Sequence, residues 1–366
     1  MEAVLSRKPL CSARFASMVV AMGVGLVACR DTTSSHGIDP LVSDDVQHEV
    51  ERHDGSNAPR SNAEATSTGD NGPGFTLPSS SASTSIGTVL EGRLEGGVPV
   101  PLNGPGFRHN PNKRPERRYG TVELVGGLVR AAAIVHGTLP GGELTINDLA
   151  AELGGDIPNH ASHRSGRDVD VLFYLLDEHG NPRPGHAIPL DPEGGGTDYN
   201  DLTDPSDDKH VRLDVARTWK FVETLVLDPD AHVQRIFLAE HLRTLLLAHA
   251  HGSDAPKQAI TRFGHLTCQP GFPHDDHMHV RVFCSPEDIR AGCVDGRPIY
   301  PWHEQYLVDE GVKAVVSDVR ETPRPKLTSH AEARAKAGPM HPSVEAFLER
   351  RKAWLKQPHP GRTYCR

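Results

Sequence analysis

The sequence predicts an α+β fold over residues 88–305 of a 366-residue chain. Apolar residues recur at helical spacing in some of its segments and at alternate positions in others. Leu124, Leu128, Ala131 and Val135 fall on one helical face, as do Val215, Trp219, Val222 and Val226. From Asp168 to Leu176 the pattern alternates, with Val169, Val171, Phe173 and Leu175 on one side and Asp168 and Asp170 on the other. Val233 to Leu238 and His277 to Phe283 read as further strands. Interleaved patterns of both kinds within one domain length give α+β. Composition narrows the class: 37% of residues are hydrophobic and 5% aromatic, with 35 Gly and 30 Pro. A polytopic membrane protein needs several apolar runs of about 20 residues, and this much Gly and Pro breaks coiled-coil helices. The formal charge of -9, from 48 acidic and 39 basic residues, argues against a nucleic-acid partner, which requires a concentrated basic face.

In chain order, residues 1–29 read as an export signal. Arg7, Lys8 and Arg14 precede an uncharged apolar run from Phe15 to Ala28, too short to span a bilayer. It ends in Leu26-Val27-Ala28-Cys29, a tetrapeptide that resembles a bacterial lipobox, in which the Cys is lipidated and becomes the first mature residue. The plainer alternative is an ordinary secretory signal with an incidental Cys. Residues 30–87 are rich in Ser, Thr, Asp, Asn and Gly, with Phe75 the single aromatic residue. Such a segment buries too little surface to offset its ordering entropy and reads as a disordered tether, with a reach of roughly 40 Å. An exported chain retains disulfides, so Cys268, Cys284, Cys293 and Cys365 form a framework with three possible connectivities, of which Cys284–Cys293 with Cys268–Cys365 is preferred. Residues 306–366 read as a solvated tail closed by Cys365, with a short helix near Val344 to Trp354; a wall-binding patch is the other reading. The acidic, Gly-rich stretch Asp191 to Asp208 lacks the ligand order of an EF-hand and reads as a mobile loop beside a cleft.

The chain holds 22 histidines, and two segments concentrate them: residues 159–170, with His160, His163, Asp168 and Asp170, and residues 273–281, with His274, Asp275, Asp276, His277, His279 and Arg281. A hydrolytic zinc site takes three His or carboxylate ligands and leaves a position for water, so His-x6-Asp followed later by His-x-His supplies a complete set. Each half is common by chance; the longer strings His-x-x-His-x6-acid and His-x-x-His-x-His are expected only about 0.2 and about 0.08 times in such a chain. His249-Ala250-His251 is a control. It ends a helical pattern, where residues two apart point to different sides, and reads as helix-end histidines. In 273–281 the period is two, so His277, His279 and Arg281 share one face while Met278, Val280 and Val282 pack inward.

The strings S-H-R-S-G-R-D-V-D (162–170) and H-D-D-H-M-H-V-R (274–281) resemble the penicillin-insensitive murein endopeptidases, members of the LAS metallopeptidases, over roughly residues 95–300. That resemblance implies a LAS-type domain with a central antiparallel sheet and flanking helices. It implies Zn2+ held by His163, Asp170 and His279, with His277 as catalytic base and His274 and His160 as further active-site histidines. The substrate it implies is peptidoglycan, cleaved at the D-alanyl-to-meso-diaminopimelyl cross-link. A periplasmic lipoprotein held to a membrane through Cys29 is consistent with that substrate. Two alternatives are a D-Ala-D-Ala carboxypeptidase and a non-catalytic, zinc-stabilised wall-binding module.

Neighbouring residues admit two readings each. Asp168 orients a ligand histidine or is a solvent-facing charge on a strand edge. Asp275 and Asp276 orient His274 and His277 or are solvated turn residues. Arg281 pairs with a substrate carboxylate or lies on the surface. Trp219 reads as core, and His109, His136, His179, His186 and His210 as surface or loop histidines.

Overall fold

The computed structural model describes residues 82–317, 330–356 and 365. The expected export signal with Cys29, and the expected tether as far as residue 81, lie outside the described residues. Strand β1 (Thr84–Gly87), the last four residues assigned above to the tether, turns back into β2 (Gly92–Glu95). Then come β3 (Val98–Pro99), β4 (Asn103–Gly104), β5 (Phe107–His109) and β6 (Tyr119–Gly120), the last pairing with β3. Helix α1 (Val122–Thr138) begins where the Thr121 hydroxyl accepts from the Leu124 N–H, satisfying a donor the helix start leaves free. Leu124, Leu128, Ala131 and Val135 are all buried, as their shared face requires.

Strands β7 (Leu144–Ile146) and β8 (Asp168–Leu172) follow, then β9 (Leu175–Asp177), β10 (Pro182–Arg183), β11 (Gly195–Asp198) and β12 (Lys209–Leu213). Helix α2 (Val215–Leu227) is capped by Asp214 and buries Trp219, Val222 and Val226. The rest comprises β13 (Val233–Phe237), α3 (Glu240–His251), α4 (Lys257–Leu266), β14 (Thr267–Cys268), β15 (His277–Val282), α5 (Pro286–Arg290), α6 (Pro301–Asp309), α7 (His330–Ala337) and α8 (Pro342–Lys356).

Seven strands form the main sheet in the order β14-β13-β15-β8-β7-β5-β4. Its central members β13, β15, β8 and β7 are antiparallel, and parallel pairs β13–β14 and β5–β7 extend it on either side. Val169 and Val171 of β8 and Met278, Val280 and Val282 of β15 join one core with the apolar faces of α1 to α4. The opposite face of β8 and β15 is therefore left to carry polar chemistry. No helix among the described residues is long and apolar enough to cross a membrane.

Several expectations change. The alternation from Asp168 to Leu176 is not one strand: the chain breaks at Phe173 and Tyr174 and passes into a second sheet, β10-β9-β12-β11. Both residues are buried because protein covers the chain on each side where it leaves the first sheet. The Asp191–Asp208 stretch is not a bare loop, since it supplies β11, paired with β12 in register. His109, expected at the surface, is buried on β5. The expected tail helix lies inside α8, yet it is not solvated: Val344, Phe347, Arg351, Trp354 and Leu355 are buried, and Phe347, Trp354 and Leu355 pack with Tyr199 and Leu348. Both preferred disulfides are present, Cys284–Cys293 and Cys268–Cys365.

Arg167 fixes the start of β8. Its guanidinium donates to Ser85 Oγ, the Val282 and Val294 carbonyls and, at 2.7 Å, to Asp295 Oδ1. Breaking a buried, hydrogen-bonded pair strands the other charge. Arg167→Met is therefore expected to lower stability by about 3 kcal/mol, read from urea unfolding; a change within experimental error would show that Asp295 is otherwise satisfied.

Candidate metal centre

Two neighbouring strands deliver most of the site. In the antiparallel β15–β8 pair, His279 lies opposite Asp170 and Arg281 opposite Asp168. Directly opposed residues project from the same face, so the period-two rows of both strands place Asp168, Asp170, His277, His279 and Arg281 together. His163 arrives on the loop before β8. Its φ is +66°, and Gly166 follows at +75° with Leu94 so close that a Cβ would lie 2.7 Å from it. The Asp168 carboxylate accepts from the His163 N–H at 3.1 Å, which holds this left-handed turn in place.

Four imidazoles surround Asp170, and each has one ring nitrogen held from outside. His163 Nδ1 donates to the Leu149 carbonyl at 2.9 Å, and His279 Nε2 to Asp168 Oδ1 at 2.9 Å. His277 Nδ1 donates to Asp276 Oδ1 at 2.7 Å, and His160 Nε2 to Asp148 Oδ2 at 3.2 Å. A carbonyl or carboxylate oxygen only accepts, so in a neutral ring the one proton sits on the more closely held outer nitrogen and the lone pair on the other. Those other nitrogens converge. His279 Nδ1, His163 Nε2 and His277 Nε2 stand 3.2, 3.4 and 3.6 Å from Asp170 Oδ1, and His160 Nδ1 stands 3.6 Å from Oδ2. Ligand atoms, one each from His160, His163 and Asp170, lie within 4.8 Å of one another.

Lone pairs facing a carboxylate repel it unless a cation lies between them. Among the described residues, His163 Nε2 and Asp170 Oδ1 are buried and find no hydrogen-bond partner of normal geometry, although their residues are only 1% and 3% exposed. Ligand atoms about 2.0–2.1 Å from a tetrahedral ion lie about 3.3 Å apart, which the spacings from Oδ1 to His163 and His279 match. The donor set therefore fits a divalent metal of the zinc type, with each histidine braced as metal-binding histidines are.

Charge follows this geometry. Burial alone would raise the Asp170 pKa, but in the metal-free chain positive charge on His163 and His277 beside it holds it well below the usual carboxylate range. Asp168 is likewise depressed, Arg281 and then His279 outweighing burial. Burial opposes a charged His279, yet Asp168 and Asp170 raise its pKa. His274, at φ +52°, donates from Nδ1 to the Phe272 carbonyl at 2.8 Å; burial and the neighbouring His277 and His279 push it down to about 3. Its ring lies 4.7 Å from that of His277.

All six histidine and aspartate candidates thus meet in one place. Asp168 is no edge charge, since β8 lies inside the sheet and its carboxylate is fully buried. Arg281 pairs with Asp168 at 2.6 Å and lies over the Phe237 ring, so its partner is internal rather than a substrate carboxylate. Asp276 orients His277, whereas Asp275 pairs with Arg351. Sequence reasoning missed Asp148 and the Leu149 carbonyl. Asp148 carries its own cations, with Lys113 at 3.1 Å and Arg117 at 3.8 Å, and its pKa falls to about 2 as His160 and Lys113 overcome burial. The basic run before α1 was its only trace in the sequence.

A family model described as penicillin-insensitive murein endopeptidase, a family of metallopeptidases, matches residues 85–339. Curated relatives bearing the same name include a protein of Klebsiella pneumoniae subsp. pneumoniae, 29% identical over 280 residues, 75% of this chain and 89% of the relative. One from Pectobacterium atrosepticum is 27% identical over 73% of this chain and 84% of its own length. One from Escherichia coli O157:H7 is 28% identical over 75% and 89%.

Proposed function

Because this chain belongs to the penicillin-insensitive murein endopeptidase family, we propose that it is a zinc-dependent endopeptidase hydrolysing the D-alanyl-to-meso-diaminopimelyl cross-link of peptidoglycan. The observation that carries the reading is the convergence of four braced imidazoles on Asp170. His163 Nε2, Asp170 Oδ1 and His279 Nδ1 would hold the ion, as the family resemblance implies; these two rings stand nearest Oδ1, with His277 Nε2 farther off at 3.6 Å and His160 facing the other oxygen. Bound there, zinc supplies Lewis acidity and lowers the pKa of water to about 7.

The chain's own groups move the proton. His277 Nε2 accepts it from the attacking water and returns it to the leaving amine, while Asp276 on Nδ1 fixes the tautomer and stabilises the imidazolium. His274 stays neutral, and with its Nδ1–H engaged by Phe272 it presents Nε2 as an acceptor, which suits orienting a substrate N–H rather than an oxyanion. His160, braced by Asp148, closes the side of the site next to His163, 4.4 Å away between ring centres. Export to the periplasm and anchoring through a lipidated Cys29 belong to the same proposal, supported by the leader pattern and by two disulfides, which persist in an oxidising compartment.

Digestion of purified cross-linked muropeptides tests the proposal. Dimers are expected to fall to monomers, the activity to vanish with a chelator and return with zinc, and penicillin to leave it unchanged because no serine is acylated. Release of free D-Ala from uncross-linked pentapeptide would instead identify a carboxypeptidase. Zinc binding without turnover would identify a wall-binding module.

A further inference from the structure

The run His274–His277 is gripped by a part of the chain that lies beyond the family match, which ends at residue 339. Arg351 of α8 is 1% exposed, and its Nε and Nη2 donate to the two carboxylate oxygens of Asp275 at 2.8 and 2.6 Å. A guanidinium–carboxylate fork fixes orientation as well as distance. The run is tied down around that fork: the Leu190 N–H donates to the Asp275 carbonyl at 2.8 Å and the Ala239 N–H to the His274 carbonyl at 3.0 Å. Arg351 also acts electrostatically on Asp276, the carboxylate that holds His277.

Helix α8 is itself secured. Phe347, Trp354 and Leu355 pack with Tyr199 and Leu348, and the His341 N–H donates to the Leu202 carbonyl at 2.6 Å. Farther along, Cys365 is bonded to Cys268, and its N–H donates to the Gln269 carbonyl at 3.0 Å. The C-terminal segment therefore holds the 268–277 loop at both ends. A buried ion pair is a poor way to gain stability, because an apolar pair of the same size does as well or better. What it supplies is one fixed geometry, and the left-handed backbone of His274 requires such support.

We infer that Arg351 is a positioning residue for the peptidase centre: through Asp275 the C-terminal helix sets the His274–His277 segment in the pose from which His277 transfers protons. The inference rests on the role proposed above for His277. Full-length wild type, Arg351→Lys and the double variant Arg351→Met/Asp275→Leu decide it, the double variant leaving no stranded carboxylate at Asp275 to unfold the chain. The double variant is expected to keep one zinc per chain and a KM within about twofold of wild type, while kcat falls about 10–100-fold, as for other residues that brace a metal site. Arg351→Lys is expected to recover only part of kcat, because an ammonium cannot fork both oxygens. A double-variant kcat within twofold of wild type would overturn the inference.

Histidine-selective NMR gives a readout independent of turnover. In the double variant the His274 and His277 ring signals are expected to shift while those of His249, at the opposite end of α3 from Ala239, stay in place. Unshifted rings would overturn the positioning role even if the wild type cleaved nothing, whereas an inactive wild type with shifted rings would overturn only the peptidase reading.

Discussion

Alanine at His163 or His279 is expected to abolish both zinc binding and murein cleavage, whereas His277→Ala keeps one zinc per chain and loses turnover by about 10²–10⁴-fold, the usual worth of a positioned general base. The separation follows the proposed roles, which distance supports: His279 Nδ1 and His163 Nε2 stand 3.2 and 3.4 Å from Asp170 Oδ1, and His277 Nε2 stands farther off at 3.6 Å. His277 is braced at 2.7 Å by Asp276, which can stabilise its protonated form. His160 is the discriminating control, because one of its ring nitrogens lies within 4.8 Å of ligand atoms of both His163 and Asp170. With His279 as third ligand, His160→Ala retains the metal; with His160 as ligand, it loses it. Metal content by atomic spectroscopy beside muropeptide kinetics reads both quantities, and full zinc in the His279 variant would exclude that residue from the ligand set.

Asp168→Asn is expected to weaken zinc affinity about 10–100-fold and to lower stability near pH 7 by about 3 kcal/mol. The side chain is fully buried and accepts from the His163 N–H, His279 Nε2 and Arg281 Nε. Asparagine keeps the shape, loses the charge opposite Arg281 and braces His279 with a weaker acceptor. The folded-state pKa of Asp168 lies well below the ordinary value of 3.8, because Arg281 and His279 outweigh the effect of burial. A depressed carboxylate contributes its stability in full above the unfolded-state value and loses it as the pH falls toward the folded-state value. The gap between wild type and variant should therefore be widest between about pH 5 and 6.5, narrow as the pH drops below 3.8, and narrow again as the pH rises through the raised value of His279. Thermal unfolding of the metal-free proteins across that range measures it. A gap that widened in acid, or an undiminished zinc affinity, would show that Asp168 does not brace the site.

How far the site could be read in advance depended on the range of each interaction. The faces of β8 and β15 follow from alternation within each segment, which is local, so the grouping of His277, His279 and Arg281 was visible before any contact was known. Helices α1 and α2 show their buried faces for the same reason. The strand break at Phe173 and Tyr174 was hidden because both neighbours of a chain passing between sheets are apolar, and alternation does not record which sheet a strand joins.

By itself, then, the sequence determined an α+β chain, two histidine-bearing segments, the apolar faces that would form the core, and a cysteine set that could be paired. It took the folded chain to place His279 opposite Asp170, to bring Asp148 and the Leu149 carbonyl against His160 and His163, and to carry Arg351 to Asp275. These contacts join residues as far apart along the chain as Asp170 and His279. Periodicity is a property of neighbours along the chain, whereas register and partner choice are settled by loop closure and packing across the whole fold.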